Sequence, residues 1–203
     1  MKTKRLLIIV PLLLLIAAVT ARANPIDYIA NLTGPSEFPP NSSPGTGFAD
    51  VTLDLVAHTM RVQITFSGLI GTTIASHIHS PTAVPFTGAA GVATQVPTFT
   101  GFPLGVTSVT SGPYDMTFDT SLVSTYNPAF VTANGSVAAA EAALAASLAA
   151  GTSYLNIHTT EFPGGEIRGF LVAVPENFST VWAALPFAAL LLAAGVRKSR
   201  RNC

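Results

Sequence analysis

The chain reads as an all-β protein: an antiparallel β-sandwich or barrel, interrupted by one alanine-rich helix and followed by a C-terminal transmembrane helix. Three observations carry that reading. Residues 48–55 and 60–66 each alternate apolar with polar side chains on either side of a short turn, VAHT, the pattern of a hairpin with one buried face. Residues 81–112 are rich in Gly, Pro, Thr and Val and have no helical period, as short strands and long loops require. Only residues 136–150, SVAAAEAALAASLAA, have the composition of a helix.

In order, residues 24–32 lead in, and residues 34–47, GPSEFPPNSSPGTG, read as loop because they hold four prolines and three glycines. In the hairpin, Val51, Leu53 and Leu55 share one face opposite Asp50, Thr52 and Asp54. Met60, Val62, Ile64 and Phe66 then point inward, with Arg61, Gln63 and Thr65 outward. His58 falls in the turn and is expected to be exposed and idle. Residues 73–79 form a strand with Ala75, His77 and His79 on one face, and residues 114–118 form another. Asn134 or Ser136 caps the helix and Gly151 ends it. The stretch YLNIHTTEFPGGEIRG, residues 154–169, places Tyr154, Asn156 and His158 on one face of a strand. After a Pro-Gly-Gly turn, Glu166 and Arg168 share a face of the last strand, which runs on to residue 174.

Charge is segregated. Four of the ten Lys/Arg precede residue 23 and four follow residue 196. Residues 24–175 keep two arginines against nine acids, a formal charge of −7. Such a domain is a poor nucleic-acid binder, because neutralising phosphates takes several cations. The ends are addressed elsewhere. Lys2, Lys4 and Arg5, an apolar run over 6–19 and Ala21-Arg22-Ala23 make residues 1–23 a signal peptide. An uncharged apolar run over 178–196, followed by RKSRR, has the length of a membrane span with its C-terminal side cytoplasmic. The exported domain is thus residues 24–174, and residues 175–203 form a tail. Cys203 is the only cysteine, so the exported domain has no disulfide and relies on its apolar core.

Val174-Pro175-Glu176, then the span, then the terminal basic cluster resemble the PEP-CTERM sorting tails of Gram-negative bacteria. In that family an exosortase, a membrane protease-transpeptidase, processes the tail near the Pro-Glu motif. Asn177 stands where the family has a second proline. The pieces NLTGPSEFPP (31–40), TFSGLIGTTIASHIHSP (65–81) and GTSYLNIHTTEFPGGEIRG (151–169) resemble the CHRD domain, in the family's order. That resemblance implies an immunoglobulin-like β-barrel with a distant likeness to copper/zinc superoxide dismutase, and no enzymatic activity. Growth-factor antagonism, the role of chordin, is not transferred to a bacterial chain.

The likeness to the dismutase raises a metal centre. His77 and His79, at i and i+2 on a strand, point the same way, and His158 is a third candidate ligand; three imidazoles suit copper or zinc. Glu37 and Glu166 are candidates to complete or orient the shell, with Tyr154, Asn156 and Arg168 as structural or supporting groups. The alternative is a buried polar cluster of the same histidines that fixes strand register, with Glu166 and Arg168 as an ion pair. Catalysis has little support. No Gly-x-Ser-x-Gly elbow accompanies Ser80, Ser153 or Thr159. A Glu161–Glu166 glycosidase pair would need sugar-binding aromatics, and the one tryptophan, Trp182, lies in the tail. The expectation is an exported, membrane-tethered or surface-sorted binding or structural module of the cell envelope, with exopolysaccharide as a candidate partner. A copper- or zinc-binding redox or storage module is the alternative.

Overall fold

The computed structural model describes residues 24–105 and 109–175. The signal peptide read at 1–23, the span at 178–196 and Glu176 of the sorting motif lie outside the described residues. Eight strands make up the described sheet: β1 (Ile26–Thr33), β2 (Thr46–Asp54), β3 (Thr59–Ser67), β4 (Thr73–His79), β5 (Gly112–Asp119), β6 (Tyr154–Thr159), β7 (Ile167–Phe170) and β8 (Val172–Ala173). Two helices, α1 (Pro128–Asn134) and α2 (Val137–Ala149), sit between β5 and β6. The strands run β4-β6-β7-β1-β2-β3-β5, with β8 also on β1, and every pairing is antiparallel. The sheet is curled into a half-barrel around one apolar core. The all-β expectation holds, as a single curled sheet.

The hairpin forms where alternation places it. β2 and β3 pair from Thr46↔Ser67 to Asp54↔Thr59. Val51, Leu53, Met60, Val62 and Ile64 are buried, each worth about 2–3 kcal/mol of transfer from water. Leu55 departs from the expectation: it lies past the strand end and is exposed. The lead-in is also corrected. Ile26–Thr33 is a central strand, with Tyr28, Ala30 and Leu32 in the core. Its outward side includes Ile29, which hid the polar half of the alternation.

The alanine-rich helix is α2. Ser136 caps it by accepting from the Ala139 N–H, and Gly151 follows it at φ 68, a left-handed position that favours glycine. A second helix, α1, was not expected. Asn127 caps it from the Ala129 N–H, Pro128 opens it, and Gly135 ends it at φ 85. Phe130, Leu144 and Leu148 from these helices are buried in the shared core. His58 is exposed as expected, but it is not idle. It takes a left-handed backbone (φ 54), and its Nδ1 lies 2.9 Å from the Glu141 carboxylate on α2. The hairpin turn is therefore tied to the helix.

One end of the sheet differs from the rest. β2 and β3 bury a single face, whereas β6 is buried on both. Ile78, Leu155, Ile157 and Ile167 line the core side. The opposite side of β4, β6 and β7 carries His77, His79, Tyr154, Asn156, His158 and Arg168, and the Gly88, Ala90 and Pro97 carbonyls of the β4–β5 connection meet it.

Candidate metal centre

Strand register assembles the three histidines. On β4, His77 and His79 share a face. On β6, Asn156 sits opposite His77, Tyr154 opposite His79 and His158 opposite Ala75. On β7, Arg168 sits opposite Asn156. One ring nitrogen from each of His77, His79 and His158 lies within 4.8 Å of one from each of the others. His77 and His79 are buried, and His158 is partly buried.

The nitrogens facing away from the cluster decide the tautomers. His77 Nε2 is 2.6 Å from the Pro97 carbonyl, His79 Nδ1 is 2.8 Å from that of Ala90, and His158 Nδ1 is 2.9 Å from that of Pro163. A carbonyl only accepts, so each of these nitrogens carries the hydrogen. The lone pairs are left on His77 Nδ1, His79 Nε2 and His158 Nε2. Burial is the main effect that pulls His77 and His79 down to about 4. The carbonyl hydrogen bonds oppose the fall and the neighbouring imidazoles add to it. His158 is lowered for the same first reason. All three rings are therefore neutral at pH 7.

Neutral rings leave an unmet need. His77 Nδ1 and His158 Nε2 are 3.3 Å apart, with a lone pair on each and no proton to share. Among the described residues, His79 Nε2 is buried with no hydrogen-bond partner. Two nitrogens on one tetrahedral ion at the usual distance of roughly 2.0–2.1 Å would be about 3.3–3.4 Å apart. A carbonyl accepting from the outer N–H of each ring is the kind of contact that orients an imidazole for metal binding. Two of the three carbonyls, those of Ala90 and Pro97, come from the one β4–β5 connection.

The other candidates divide into two groups. The Tyr154 ring stacks on His79 (4.9 Å between centroids, 8° between planes). The Arg168 guanidinium lies 4.5 Å from the Tyr154 ring centre and donates to the Ser36 and Gly88 carbonyls. Glu37 Oε2 is 3.9 Å from Arg168 Nε. Burial raises the Glu37 carboxyl to about 7, against the opposing charge of Arg168 and the Phe38 N–H. These residues brace the site from one side. Glu166 belongs elsewhere. It is fully buried and accepts from the hydroxyls of Ser43 and Thr159 and the N–H groups of Ile70 and Gly71. The expected Glu166–Arg168 ion pair is therefore corrected: Arg168 has Glu37 as its carboxylate neighbour. Glu166 also orients no histidine. Of the sorting motif, Val174 donates to the Asp27 carbonyl at 2.8 Å, and Val174 and Pro175 are exposed.

The hydroxyls considered as nucleophiles are engaged away from the imidazoles. Ser153 Oγ donates to Ser80 Oγ, and Thr159 Oγ1 donates to Glu166. Sequence reasoning missed the Pro97, Ala90 and Pro163 carbonyls, because a backbone acceptor leaves no mark in side-chain identity. It also missed Ser43, whose partner is 123 residues away.

A family model described as the CHRD domain matches residues 28–171. No curated protein and no solved structure matches the chain.

Proposed function

The chain belongs to the CHRD domain family, and we propose that this member is an exported, envelope-tethered binding module that holds one copper or zinc ion on His77, His79 and His158. The basic, apolar and small-x-small order of residues 1–23 supports export. The Val174-Pro175-Glu176 motif, the apolar run and the terminal basic cluster support membrane tethering and exosortase-type sorting. An exopolysaccharide-rich envelope is the setting this sorting implies. The observation that carries the metal reading is the inward convergence of three imidazole lone pairs whose outer N–H groups are each held by a carbonyl. The role is binding, without catalysis.

The hydrogen bonds from the three rings to the Pro97, Ala90 and Pro163 carbonyls also suit a second reading, in which the histidines fix strand register with no ion. Metal analysis of untagged protein separates the two. The expected result is close to one equivalent of copper or zinc after incubation and desalting. Less than a tenth of an equivalent, with no rise in melting temperature on adding either ion, would leave the register reading.

A further inference from the structure

The three-histidine reading leaves a fourth donor to be found, and the inner wall of the site contains one. Asn156 is 2% exposed. Register places it directly across from His77 and two residues before His158 on the same face. Among the described residues, its amide oxygen Oδ1 is buried without a hydrogen-bond partner, as is His79 Nε2. Register sets Asn156 on the same sheet face as His77, His79 and His158, so this unmet acceptor and the free histidine nitrogens belong to one wall. A metal ion satisfies all four acceptors at once.

Building on the three-histidine reading, we propose that Asn156 Oδ1 is the fourth ligand, which makes the centre a three-nitrogen, one-oxygen site for a divalent ion. The oxygen decides the selectivity. A carbonyl-type oxygen is a hard donor that suits Zn(II) or Cu(II), whereas Cu(I) is satisfied by the imidazoles and gains little from it. Asn156 is therefore a specificity-determining residue, and the set favours a divalent ion over Cu(I) more than three imidazoles alone would.

The test uses the full chain in detergent, with Zn(II), Cu(II) and Cu(I) affinities measured against chromophoric chelators for wild type, Asn156→Leu and Asn156→Asp. Circular dichroism of each metal-free form reports folding. Asn156→Leu is expected to weaken Zn(II) and Cu(II) binding about 10–100-fold, the range for altering a group around a metal, and to change Cu(I) binding less than about threefold. Asn156→Asp, which keeps the shape and adds charge, is expected to hold Zn(II) at least as tightly as wild type. If the leucine variant does not fold, the aspartate variant carries the test: a Zn(II)-over-Cu(I) preference no greater than in wild type overturns the proposal. Unchanged or tighter Zn(II) binding in Asn156→Leu also overturns it, since that result means the amide presents its NH2 to His79 and competes with the ion. A wild-type protein that binds no metal sinks the three-histidine reading along with this one. Metal binding that is indifferent to Asn156 sinks this proposal alone.

Discussion

Asn24–Pro175 with Glu166 replaced by alanine is expected to lose at least about 4 kcal/mol of folding stability, several times the cost of a typical surface substitution. The carboxylate is 0% exposed and collects four donors from three parts of the chain. Ser43 Oγ (2.6 Å) comes from the loop before β2. The Ile70 and Gly71 N–H groups (2.6 and 3.1 Å) come from the β3–β4 turn, and Thr159 Oγ1 (2.6 Å) from the end of β6. Each donor left unmet inside the protein costs roughly 1–3 kcal/mol. At about 2–4 °C per kcal/mol for a domain of this size, the melting temperature should fall by about 10 °C or more. Glu166→Gln keeps the volume but turns an NH2 group toward donors, so it is expected to recover only part of the loss.

The pH dependence has a definite sign. Burial alone would raise the Glu166 carboxyl, but the hydrogen bonds from Ser43, Thr159, Ile70 and Gly71 outweigh it and hold the group below its ordinary value. An acid depressed in the folded state contributes stability that is fully present above its unfolded pKa, near 4.3. That stability is lost as pH falls through the folded value. The difference between wild type and Glu166→Ala should therefore be full at pH 7 and shrink as pH drops below about 4. Denaturant unfolding at pH 7 and pH 3.5 checks both points. A loss under 1 kcal/mol at pH 7 would show that the clamp is dispensable.

His79→Ala is expected to weaken zinc or copper binding by at least about 100-fold, whereas His58→Ala leaves it unchanged. His79 supplies a buried nitrogen with no partner among the described residues, fixed from behind by the Ala90 carbonyl and from the side by the Tyr154 ring. Removing it takes one of the three imidazoles from the cluster. His58 lies far along the chain's hairpin turn and serves Glu141, which also accepts from Thr120. Its loss should lower stability by about 1 kcal/mol, the scale of a single hydrogen bond. Isothermal titration of the two variants beside wild type reads the contrast. Equal loss in both would show that the ligands are wrongly chosen.

What the sequence revealed follows the reach of its local rules. Period-2 alternation placed β2, β3 and β4 and put His77 and His79 on one face, because side-chain direction in a strand is set by neighbours in the chain. It failed at Glu166 for a physical reason: Gly165 turns the backbone at φ 130 and β7 begins only at Ile167, so Glu166 and Arg168 do not belong to one alternating run. The β1 strand was hidden by Ile29 on its outer side. The α1 helix was signalled by Asn127-Pro128 and Gly135 but is only seven residues long. The register that sets Ala75 opposite His158, and so brings His158 diagonally to His77, runs unbroken from the His79↔Tyr154 pair, and the irregularity between Thr73 and Ala75 falls just beyond it. That is a pairing event between distant strands, which no reading of one strand contains.

A crystal of the protein soaked in zinc, with diffraction recorded on both sides of the zinc absorption edge, tests the central claim most directly. The account predicts one strong anomalous peak between the three rings, about 2.0–2.1 Å from His77 Nδ1, His79 Nε2 and His158 Nε2. A peak only at His58 and Glu141, or none within bonding distance of the three imidazoles, would contradict it.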